Sequence, residues 1–181
     1  EFTPWSIAQG LQNVNSPLMN FWTGTAAGDF WTGISQCNIF LEKIPAVPDM
    51  EPWEKDQWAA EVKFLKAYYH FYMLQAYGPI PIMRENLPIS ASGEEVRVVR
   101  RPVDEVVEYI VELLDEAIPN LPEKVMDENT ELGRITLPIA MGMKAKILVY
   151  AASPLFNGNP DYIGFTNKDG TPLFNTTFSA Q

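Results

Sequence analysis

Residues 19–38, MNFWTGTAAGDFWTGISQCN, set two tryptophans among Asn, Thr, Ser and Gly. That mixture suits non-covalent capture of a hydroxyl-rich ring. A flat indole covers the apolar face of the ring, while amide and hydroxyl side chains hydrogen-bond to its substituents. Trp22 is flanked by Asn20 and Thr23, and Trp31 is followed by Ser35 and Asn38 along one helical edge. Trp5, in an irregular leader, is a further candidate. Trp31 has two readings, ligand contact or packing between helices, and spacing does not choose between them.

Covalent chemistry has less support. Glu105, Glu108, Glu112 and Asp115 are the densest run of carboxylates. Glycoside hydrolysis needs two carboxyls facing each other across a cleft, one with a raised pKa. Steps of three and four put these four on one helix face, which reads as solvated. Cys37 and His70 are each the sole residue of their kind, so they form neither a disulfide nor a zinc site from Cys and His alone. The NKDGT stretch lacks the oxygen spacing and closing Glu of a calcium loop. No catalytic residue, metal or cofactor is expected. A formal net charge of −10 disfavours nucleic acid and anionic lipid as partners.

The elements that must position these residues are helical. Phe30, Ile34, Cys37, Leu41 and Ile44 recur at steps of four and three, and Pro45 and Pro48 end that run. A second helix spans about Pro52 to Tyr77, opened by a proline and closed by Gly78, Pro79 and Pro81. It is apolar nearly all round, including Tyr68, Tyr69, Phe71 and Tyr72, which read as core. Asp56, Lys63, Lys66 and His70 fall on one narrow polar stripe. Glu61 lies opposite that stripe and should have a cationic or hydrogen-bonding partner; Arg134 or Lys144 could reach it. Trp53 and Trp58 read as structural.

A third helix, about Pro102 to Ile118, carries an apolar face of Val103, Val106, Ile110, Leu113 and Leu114. A fourth, about Pro138 to Ala152, contains small residues that permit close neighbours. The expected architecture is all-α: helical hairpins stacked as a short solenoid with long irregular loops. In it the second and fourth helices are covered on more than one side. Residues 1–27 form an irregular leader, 28–153 the hairpins and 154–181 an irregular tail, within one domain.

The runs GDFWTGISQCNIFLEKI, AEVKFLKAYYHFYMLQAYGPIPIM, RRPVDEVVEYIVELLDEAIPNLPE and GRITLPIAMGMKAKILVYAASPLFNGNPDY occur in that order. Together they resemble the N-terminal part of the SusD/RagB outer-membrane lipoproteins of Bacteroidetes-type bacteria. The FLKAYY…YGPIPI and KAKILVYAASPLFN runs are the most specific. The resemblance covers about Gly28 to Tyr162 and implies a tetratricopeptide-like scaffold. It also implies non-enzymatic capture of a glycan or other nutrient at the cell surface, and delivery to a SusC-like TonB-dependent transporter.

Members of that family are much longer, so the chain is expected to be a fragment. The resemblance implies membrane attachment only through a lipid anchor, and Cys37, on a helix face, does not match the lipid-acceptor cysteine. Two alternatives come from the residues themselves: a helical-repeat adaptor that binds peptides, and, with less support, a glycoside hydrolase.

Overall fold

The computed structural model describes residues 4–15, 17–24 and 28–179. The expected leader and tail therefore fall partly outside the described residues, at 1–3, 16, 25–27 and 180–181. Among those described, the helices are α1 (Pro4–Ala8), α2 (Phe30–Lys43), α3 (Pro52–Tyr77), α4 (Val103–Ala117) and α5 (Leu137–Ala151). Short 3₁₀ turns follow at Ile44–Ala46, Ile118–Asn120 and Pro160–Tyr162. The chain is all-α, as its periodicity predicts. The leader differs in one respect, since five of its residues wind into α1.

Local chemistry explains the helix ends. Asp29 caps α2, its carboxylate accepting from the Trp31 and Thr32 amides. Pro52 opens α3, and the Glu54 side chain accepts from the Glu51 amide at 3.0 Å. Gly78 closes α3 at φ 69°, a conformation open to glycine.

α2 packs on one flank of α3 and α4 on the other, while α5 packs on α4. The core joins Phe64, Phe71 and Leu74 of α3 to Val106, Ile110 and Leu114 of α4 and Ile147 of α5. The tail returns to this core. Leu173 and Phe174 are buried, Tyr162 stacks on Phe174 at 3.8 Å, and the Val103 amide donates to the Leu173 carbonyl at 3.0 Å.

Four features add to or change the reading of the sequence. First, the polar stripe of α3 runs from water into the interior, with Asp56 exposed at its start. Lys66 and His70 are buried because α4 and the segment 79–86 lie across them, and Lys63 pairs with Glu116 at 2.7 Å. Second, α5 is covered on one side only: Ala140 and Ile147 are buried, whereas Ile139, Met141, Leu148 and Val149 are exposed. Third, Trp53 and Trp58 are 65% and 46% exposed, Trp58 lying under the Arg134 guanidinium at 5.6 Å and outside the core. Fourth, Phe71 is fully buried, but Tyr68 and Tyr72 are half-buried against the core, and Tyr69, also half-buried, packs on Phe30 at 5.5 Å. Glu61 finds Arg134, whose Nη2 and Nε reach Oε1 at 2.8 and 3.1 Å, and Lys144 pairs instead with Asp115.

Candidate functional site

Two tryptophans nine positions apart meet at one cavity. Trp22 and Trp31 stand edge to face, ring centroids 5.0 Å apart and planes at 82°. With Ile34, Ser35, Pro81, Met83, Asn86 and Val98 they line a cavity of about 270 Å³. Among the described residues its walls are mostly apolar, its polar groups are Ser35 and Asn86, and no ionisable side chain lines it. Concave apolar walls with few polar groups are the usual form of a small-molecule site.

Each wall has a local cause. Trp31 sits in the first turn of α2, where its amide donates to Asp29 Oδ1 at 2.9 Å. Gly33, two residues on, lets α2 approach α3, since a Cβ there would lie 3.0 Å from the Tyr69 ring. Trp22 lies in the loop before α2. Tyr77, the last residue of α3, pins that loop: its hydroxyl accepts from the Phe21 and Trp22 amides at 3.0 and 3.2 Å. The rings of Trp22 and Tyr77 are 5.3 Å apart at 77°. Trp22 remains 37% exposed, which leaves indole surface for a ligand.

The opposite wall is the segment 79–86, which follows Gly78. Pro79 and Pro81 deprive it of two amide donors, and besides one backbone bond, from the Arg101 amide to the Ile80 carbonyl at 2.9 Å, side chains hold it. Asn38 Nδ2 donates to Asn86 Oδ1 at 3.2 Å and to the Met83 carbonyl at 3.5 Å. Asn86 Nδ2 donates to the Ser35 carbonyl at 3.0 Å, and Lys66 Nζ to the Arg84 carbonyl at 2.7 Å. His70 Nδ1 faces the Lys66 carbonyl at 2.8 Å, and its Nε2 lies 3.5 Å from the Met83 amide. A neutral ring protonated on Nδ1 satisfies both contacts. Burial pushes His70 down to about 4 and Cys37 up to about 11, and it lowers Lys66 from its ordinary value.

The sequence candidates therefore separate. Trp22 and Trp31 come together on the cavity. Asn38 is 7% exposed and lies behind it, holding the wall. Its expected contact with ligand has no exposed surface to serve it, because the segment 79–86 covers that edge of α2. Trp5 is 68% exposed on α1 and does not line the cavity. Sequence reasoning missed Met83, Asn86 and Pro81. The two prolines and Asn86 in GPIPIMREN were the available signal for a shaped loop.

The carboxylates of α4 are elsewhere. Glu105 pairs with Arg101 at 2.7 Å and Glu112 with Arg84 at 2.9 Å, while Asp115 pairs with Lys144. Among the described residues no cluster of His, Cys, Asp and Glu could hold a metal ion, and no helix is long and apolar enough to cross a membrane.

Residues 4–148 match the SusD-like family described as "Starch-binding associating with outer membrane". A SusD-like protein of Bacteroides ovatus is 26% identical over 148 residues, which are 81% of this chain and 26% of that one. The solved structure of BT4246 is 34% identical and superposes with a TM-score of 0.81 over 97% of this chain and 29% of that one. A laminarin-binding SusD-like protein is 27% identical, with a TM-score of 0.68 over 81% of this chain and 30% of that one. The chain thus spans under a third of the length of these relatives.

Proposed function

This chain belongs to the SusD-like family, and from that premise we propose that it captures a neutral glycan without cleaving it. The capture takes place at the bacterial cell surface, and the ligand passes to a TonB-dependent transporter in the outer membrane. The observation that carries this reading is the edge-to-face Trp22–Trp31 pair at the mouth of an apolar cavity with two polar side chains. An exposed indole face suits the axial C–H groups of a pyranose, and Ser35 and Asn86 suit its hydroxyls. Neutrality is supported by the lining, in which no described residue offers a cation to a uronate or sulfate. The net charge of −10 further repels anionic sugars.

Calorimetry of the full-length protein against a panel of neutral and uronic oligosaccharides tests this. Saturable binding of a neutral member is expected, with unchanged chain length after prolonged incubation. Trp22→Ala should weaken it about tenfold or more, as for a base or sugar ring losing its aromatic partner. Release of shorter products, dependent on a pair of carboxylates, would overturn the non-enzymatic reading.

A further inference from the structure

The 83–86 part of the wall segment is held by side chains of α2 and α3 that do not line the cavity. Lys66 is 3% exposed, His70 fully buried and Asn38 7% exposed, and all three face this one segment. Buried polar groups are costly unless they are hydrogen-bonded, so their partners here have structural weight. The partners lie within four residues: the Met83 amide and carbonyl, the Arg84 carbonyl and the Asn86 side chain. Above Lys66, the Arg84 guanidinium lies over the Tyr109 ring at 4.5 Å and pairs with Glu112, closing the outer side. The segment is thus clasped from beneath by α2 and α3 and from outside by α4.

We propose that Lys66 is a positioning residue for the cavity. Its ammonium holds the Arg84 carbonyl and, with Asn38 and His70, keeps Pro81, Met83 and Asn86 in the register that faces Trp31. A lysine suits this place because the extended side chain crosses from α3 to the segment while its stem packs beside Tyr109, with Nζ 5.7 Å from that ring. The charge strengthens the hydrogen bond it donates. The Arg84 and Met83 backbone groups then present Asn86 to the cavity already oriented, so that a ligand need not order the wall on binding. The link to ligand affinity rests on the glycan reading above, but the holding of the segment does not.

The test uses the full-length protein and two variants outside the cavity lining. Lys66→Met keeps the stem and removes the donors, and Asn38→Leu removes the amide at the other end of the clasp. Hydrogen exchange of the Met83 amide, which faces His70 Nε2 at 3.5 Å, is measured together with affinity for the tightest member of a panel of laminari-, malto-, cello- and xyloglucan oligosaccharides.

In both variants the Met83 amide should exchange about tenfold faster or more, with the α5 amides unchanged, and affinity should fall about tenfold. A melting temperature equal to or above that of the wild type separates positioning from loss of fold, and Lys66→Met is expected to give one because it removes a buried charge. Unchanged exchange in both variants would overturn the proposal. Faster exchange with unchanged affinity would overturn the positioning role and leave glycan capture standing. If the wild type binds no member of the panel, capture of neutral glycans fails, and the exchange result alone decides whether Lys66 holds the wall.

Discussion

Helices α3 and α5 read alike in the sequence and end differently in the fold. Both open with proline near the first turn, both are apolar nearly all round, and neither has a wide polar face. α3 lies between α2 and α4, with Phe71, Met73 and Leu74 sealed off from water. α5 leans on α4 along one side, touches α3 through Tyr150 against Phe71 at 5.5 Å, and presents Met141 and Val149 at 54% and 74% exposure. An apolar helix surface records a capacity to be covered, and the number of neighbours that arrive decides how much of it is used.

This contrast implies an ordered series of effects on stability. Phe71→Ala in α3 should lower stability by about 3–5 kcal/mol in urea unfolding, since a fully buried ring leaves a cavity. A loss below 1 kcal/mol would mean that α3 is less enclosed than described.

A pH scan gives the next effect. The unfolded chain takes up a proton on His70 near 6.5, which the folded chain refuses until about 4. Stability should hold above 6.5, fall as pH drops through that window by about 3 kcal/mol, and level off below it. His70→Gln should remove this component of the slope, whereas no α5 substitution should alter it.

Glu61→Gln, which takes the charge from the carboxylate that Arg134 grips, should cost about 1–2 kcal/mol. Raised salt should change it less than it changes the exposed Lys43–Glu42 pair. Smallest of all, Val149→Thr on the open face of α5 should stay within about 0.5 kcal/mol. A large loss there would show that α5 is covered in the full protein, and would erase the contrast with α3.

The scaffold was largely legible in the sequence and the site only in part. Pro52 and Gly78 bracket α3, the prolines after Ile44 end α2, and the need of Glu61 for a partner was visible from its place opposite the polar stripe. Trp22 and Trp31 could be singled out because an indole among small polar residues is a local signal. Their meeting at 5.0 Å could not, since it depends on Tyr77, 55 positions away from Trp22, pinning the loop. Asn38 carried the right polarity at the right helical edge, but the segment 79–86 covers it and turns it from a ligand candidate into a clamp on the wall.

Residues near one another in the chain thus settled where helices begin, where they stop and which faces are greasy, because caps, prolines and periodicity act within a few positions. Folding in three dimensions decided which of those faces meet water, and why Lys66 and His70 are buried while Val149 is not. Burial depends on what the rest of the chain lays across a surface, and a loop such as PIPIMREN, held by distant side chains, carries no period that announces where it will lie.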